Sequence, residues 1–101
     1  MALTFRAEGD CLVAEISGEI DHHSASGLKD RISAEYKRGT ARNLRLDFAR
    51  VTFMDSSGVG MVIGRYKEAA ERGGDLSVCG LSGELARLFE MAGLHKIISV
   101  K

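Results

Sequence analysis

Phe53-Met54-Asp55-Ser56-Ser57-Gly58-Val59-Gly60-Met61-Val62-Ile63-Gly64-Arg65-Tyr66-Lys67 breaks an apolar segment at an acid and two serines, then resumes with helical spacing. The stretch predicts a strand that turns directly into a helix. Asp55, Ser56 and Ser57 are residue types whose side chains accept hydrogen bonds from the free N–H groups of a helix's first turn. Ser57 then lies at the positive end of the helix, where a negative charge gains roughly 0.3 to 1 kcal/mol. A phosphate on Ser57 is compatible with that helix.

At roughly 100° per residue, Val59, Val62, Ile63, Tyr66 and Ala70 share one side and form the expected buried stripe. Ser57, Gly60, Met61, Gly64 and Glu68 share the other. Two interior glycines cost about 1 kcal/mol each relative to alanine, and an outward methionine gains nothing from the chain's own core. Either a partner surface comes close to the backbone beside Ser57, or the helix packs tightly on a neighbouring helix of the same chain.

Outward from this centre, the alternation of Leu44, Leu46 and Phe48 with Arg45 and Asp47 predicts a strand over Asn43–Phe48, and Val51–Met54 carries the chain to the serine turn. Leu3–Ala7 and Cys11–Ile16, separated by Glu8-Gly9-Asp10, read as an antiparallel hairpin at one edge of a sheet. A helix follows with Ala25, Leu28, Ile32 and Tyr36 inward, Asp21 or Ser24 as cap and Gly39 as stop. Beyond Gly73-Gly74, Leu76–Cys79 is a strand. Ser82 caps a third helix with apolar positions Leu85, Leu88, Phe89 and Ala92, closed by Gly93 with Leu94 folding back, and Ile97–Val100 is a last strand. The order is that of an α/β domain with a mixed sheet covered by helices.

One hundred and one residues make one domain. Fourteen basic and fourteen acidic residues cancel, so the positive field that nucleic acid or an anionic membrane requires is missing. No apolar run approaches the roughly 20 residues of a membrane span, and no basic start precedes an apolar core, so a soluble cytoplasmic protein is expected. Cys11 and Cys79 lie far apart in apolar runs and read as buried, reduced thiols.

Enzymatic motifs are wanting. Gly58, Gly60 and Gly64 do not have dinucleotide-fingerprint spacing, and a Gly-Lys-Ser/Thr phosphate loop is absent. Ser57 lacks a G-x-S-x-G elbow, and His22 and His23 have no third ligand at metal spacing. No catalytic, cofactor-binding or metal-binding residue is assigned. Nucleotide binding or slow hydrolysis at an Asp21 and Ser57 surface is the alternative.

The segment Phe53–Gly60, with Gly64-Arg65-Tyr66-Lys67 after it, Gly18-Glu19-Ile20-Asp21-His22-His23 before it and Leu88–Ile98 downstream, resembles the anti-sigma factor antagonist family, and its sporulation members most. The resemblance spans nearly the whole chain. It implies a single STAS domain over residues 1–101, ending at Lys101 without the further C-terminal helix of related antagonists, so that either the domain is minimal or the chain was shortened. It also implies a partner-switching protein with no enzymatic activity. The unphosphorylated form binds an anti-sigma factor that is also an ATP-dependent serine kinase and displaces its sigma factor, sigma F by the sporulation likeness or a stress-response factor otherwise. ATP enters only through that kinase, phosphorylation of Ser57 ends binding, and a serine phosphatase resets the protein. Asp21, Asp55, Ser56, Ser57, Gly58, Gly60, Met61 and Gly64 are the expected partner-facing residues, with Ser56 contributing a capping hydroxyl.

Overall fold

A computed structural model describes residues 2–101, in the order β1 (Ala2–Glu8), β2 (Cys11–Ile20), α1 (Ala25–Arg38), β3 (Asn43–Met54), α2 (Ser56–Glu71), β4 (Leu76–Cys79), α3 (Gly83–Met91), a 3-10 turn (Leu94–Lys96) and β5 (Ser99–Val100). Met1, where the expected domain begins, lies outside the described residues. β1 and β2 form the predicted antiparallel hairpin, with Gly9 left-handed at φ 58° in its turn.

All other strand pairs are parallel, and the sheet order is β1-β2-β3-β4-β5. Each crossover therefore steps one strand in the same direction. Because such crossovers are right-handed, α1, α2 and α3 all fall on one face of the sheet. On that face Leu12, Leu44 and Leu76 align across three strands, as do Ala14, Leu46 and Val78. They share one core with Leu28, Ile32 and Tyr36 of α1, Val62 and Ala69 of α2, and Leu85 and Phe89 of α3. The opposite face carries Val13, Arg45 and Ser77 in one row and Glu15, Asp47 and Cys79 in the next. Ion pairs span it: Arg6 to Glu8 at 2.8 Å and to Glu15 at 3.1 Å, and Arg45 to Glu8 at 3.5 Å.

α1 buries Ala25, Leu28, Ile32 and Tyr36, the four residues its spacing predicts. Its C-terminal end is held by Arg72, whose guanidinium donates to the carbonyls of Tyr36 (2.7 Å) and Ala41 (2.9 Å) and lies over the Tyr36 ring. The Tyr36 hydroxyl in turn donates to the Arg42 carbonyl.

The structure corrects the bounds of two expected elements and the burial of three residues. The two strands read at Asn43–Phe48 and Val51–Met54 are one, because pairing with β2 passes over register shifts instead of breaking. The last strand keeps only Ser99 and Val100: left-handed Gly93 (φ 74°) turns the chain so that Leu94 enters the core, and the 3-10 turn consumes the residues through Lys96. Ile97 is consequently exposed. Ala92, expected among the apolar positions of α3, is the exposed residue that follows it, and the two thiols are half-buried, with burial pushing both above their ordinary pKa.

Candidate functional site

β2 and β3 are adjacent and parallel, so the loops leaving their carboxyl ends lie side by side. The Asp55 N–H donates to the Ile20 carbonyl at 3.2 Å and ties the two loops together. One loop carries Asp21, His22 and His23, and the other carries Asp55, Ser56 and Ser57.

In the first loop Asp21 Oδ1 accepts from the N–H groups of His23 and Ser24, both at 3.0 Å. The Ser24 hydroxyl accepts from the Asp21 N–H and donates to the Glu19 carbonyl. The backbone N–H of Ser24, then its hydroxyl and the His23 N–H, hold the Asp21 carboxyl below the usual range. In the second loop Asp55 is the helix N-cap, with extended backbone and a carboxylate that accepts from the Ser57 N–H at 2.8 Å. Its own carbonyl accepts from Gly58 and Val59. Ser56 does not cap: its exposed hydroxyl has no hydrogen-bond partner among the described residues, because Asp55 already occupies the cap position.

The faces of α2 differ from the sequence expectation. Gly58, Met61, Val62, Arg65 and Ala69 are buried, while Val59, Ile63 and Tyr66 are half-buried and Ala70 is exposed. The buried arc is thus wider than predicted and turned towards Ser57, because α2 packs on α1 as well as on the sheet. Met61, expected outward, is only 4 % exposed. Glu68 belongs to the α1 junction, where its carboxylate accepts from the Ser33 hydroxyl at 2.7 Å and lies 2.7 Å from Arg65 Nε. Packing against a neighbouring helix accounts for this flank. Gly58 is also structural, since a Cβ there would lie 2.2 Å from Met54 Cγ and 3.1 Å from Ile20 Cγ2.

Gly60 and Gly64 behave otherwise. A Cβ on either would meet nothing within 4 Å, so the fold does not require these glycines. They extend an outer surface that begins at exposed Ser56 and half-buried Ser57. Phe53, 50 % exposed at the end of β3, adds an aromatic beside the turn that the sequence reading did not single out. Two further residues were missed. Ser26 and Lys29 of α1 line a hollow of about 260 Å³ together with His22, Ala25, Ser57, Gly60 and Met61. Their position four and three residues apart from His22 and Ser26 was a readable signal once α1 was known to lie beside α2.

The STAS domain family model matches residues 2–101. The anti-sigma F factor antagonist of Paenibacillus polymyxa is 35% identical over 88% of this chain and 76% of its own length. The anti-sigma-B factor antagonist of Listeria monocytogenes is 39% identical over 85% of this chain and 75% of its own. Among solved structures, the unphosphorylated anti-sigma factor antagonist SpoIIAA superposes with a TM-score of 0.84 at 29% identity, covering 99% of this chain and 88% of that one. For the phosphorylated form of the Bacillus cell fate determinant SpoIIAA the TM-score is 0.76 at the same identity, over 99% and 91%.

Proposed function

The chain belongs to the STAS-domain family and to its anti-sigma factor antagonists, and on that premise we propose that it is a phosphorylation-controlled switch without enzymatic activity of its own. Unphosphorylated, it binds an anti-sigma factor that is also a serine kinase and frees the sigma factor held there. Phosphorylation of Ser57 ends the interaction, and a serine phosphatase restores it. ATP is the kinase's substrate, and the exchange takes place in the cytoplasm.

The observation that carries this reading is the setting of Ser57. It starts a helix whose cap is supplied by Asp55, stands beside the Asp21 loop, and opens onto Gly60 and Gly64, where no side chain of this chain intervenes. A partner can lie close to the backbone there. A phosphate adds about −1.5 to −2 charge and three acceptor oxygens at the centre of that surface, which separates the surfaces while the helix N-terminus tolerates the charge. Asp21, Asp55, Ser56, Gly60 and Gly64 form the contact surface with Ser57. Gly58 and Met61 support it from beneath.

The sporulation factor sigma F is the proposed target. A stress-response factor is the second reading, favoured by the 39% identity to the Listeria protein. Intact-mass and phosphopeptide measurements after incubation with ATP and either anti-sigma kinase test both points. One phosphate on Ser57, absent from Ser57→Ala, is expected with the anti-sigma F kinase. Modification elsewhere sinks the Ser57 assignment, and transfer only from the anti-sigma-B kinase moves the target.

A further inference from the structure

The hollow beside Ser57 is asymmetric in charge. Its lining from α1 and the preceding turn is His22, Ala25, Ser26 and Lys29, and from α2 it is Ser57, Gly60 and Met61. Lys29 is the one permanently charged side chain among them, and no carboxylate lines the hollow. The first turns of α1 and α2 both reach it, and neither contains an acidic residue. α1 is only partly capped at its start: the Asp21 carboxylate takes the N–H groups of His23 and Ser24 and its carbonyl that of Ala25, while the Ser24 hydroxyl is committed to Asp21 and Glu19 and leaves the N–H groups of Ser26 and Gly27 free. Two helix starts therefore converge beside one hydroxyl, each with a capping carboxylate, Asp21 on α1 and Asp55 on α2, that lies outside the lining of the hollow. Lys29 itself is uncommitted. It is half exposed, and its nearest carboxylate, Asp30, is 3.9 Å away and more exposed still. Such a contact restrains a flexible four-carbon stem very little.

We infer that a phosphate on Ser57 is held within this chain by the Lys29 ammonium, with the Ser26 hydroxyl and the free N–H groups of Ser26 and Gly27 as further donors. The inference rests on the proposal that Ser57 is the modified residue and adds what receives the modification. Phosphorylation then closes the hollow by drawing Lys29 across it, so the covered surface differs from the unmodified one in shape as well as charge. His22, which also lines the hollow, is the competing donor, and the Asp55 carboxylate, which caps α2, opposes the phosphate.

The test is a phosphorus NMR titration of the full chain with phosphoserine installed biosynthetically at position 57, with no kinase involved. Free phosphoserine has a second pKa near 6. Lys29→Met is expected to raise that of the modified chain by roughly half a pH unit, the size of an exposed ion pair, and His22→Gln to move it less. Ser26 and Gly27 amide resonances are expected to shift on modification in wild type. Identical titration of wild type and Lys29→Met overturns the inference, as does a shift caused by His22→Gln alone. Because the phosphate is installed directly, failure of a kinase to modify Ser57 would count against the proposed function and leave this result standing.

Discussion

The Asp55 carboxylate accepts the Ser57 N–H at 2.8 Å, so the residue that caps α2 also fixes the backbone of the serine at its second position. Capping and positioning are here one hydrogen bond. Asp55→Ala should lower stability by about 1 kcal/mol, within the usual range for N-caps, and Asp55→Asn by much less, because the amide oxygen still accepts. Urea denaturation measures both. An Asp55→Asn variant that is stable yet poorly phosphorylated would show that the carboxylate has a second task in the kinase complex.

Three glycines in seven residues of α2 separate by substitution. Gly58→Ala forces a methyl against Met54 and Ile20 and should cost about 1 to 3 kcal/mol by overpacking. Gly60→Ala and Gly64→Ala have room and should each gain up to about 1 kcal/mol from helix propensity. The same two variants should weaken anti-sigma factor binding. Calorimetric Tm and binding titration are the paired measurements, and a gain in both properties would deny the glycine face a role.

Between α1 and α2, Arg65 is 7 % exposed, and its Nη1 has no acceptor among the described residues. Its nearest carboxylate is Glu68, which Ser33 and, at 3.6 Å, Lys37 also approach. Glu68→Ala strands a buried cation and should cost about 3 kcal/mol. Arg65→Met removes the charge altogether, leaves Glu68 with Ser33 and Lys37, and should fall within about 1 kcal/mol of wild type. Equal losses in urea would mean that the pair, not the uncompensated charge, sets the energetics.

Asp21 gives a pH signature. Its carboxyl is held below the usual range by bonds from Ser24 and His23, so its folded pKa is lower than its unfolded one. The stabilisation is present above the unfolded value of about 3.9 and is lost as pH falls through the folded value. Wild type should exceed Asp21→Asn at neutral pH, and the two should converge below about pH 4. Stability curves measured from pH 7 to pH 3 check the sign.

The elements whose environment is one-sided were legible. α1 shows a single stripe, Ala25, Leu28, Ile32 and Tyr36, because only one side of it meets the core. The turn at Asp55 was equally readable, since capping is local chemistry. α2 was misread where it has two neighbours: hydropathy placed Met61 and Glu68 outside, but α1 lies against that flank and admits a methionine and a hydrogen-bonded carboxylate alike. Arg65 was invisible for the same reason, as was Lys29, whose relation to Ser57, 28 residues further on, exists only once α1 and α2 start at the same end of the sheet. Gly93 was read correctly as the stop with Leu94 folding back, but β5 was drawn too long because the 3-10 turn that follows runs to Lys96 and only Ser99 and Val100 pair with β4.

The hairpin turn at Gly9 opens β2, and Asp21 follows its end, so ten residues of strand separate them. At about 3.3 Å per residue that is roughly 30 Å, close to the full 32 Å length of the molecule. The two poles are thus joined by one continuous strand, and whatever docks at Ser57 stays remote from Gly9. A fluorophore or surface tether attached at that turn can report on capture and release while leaving the binding pole free, which makes the hairpin the natural handle by which to hold this switch.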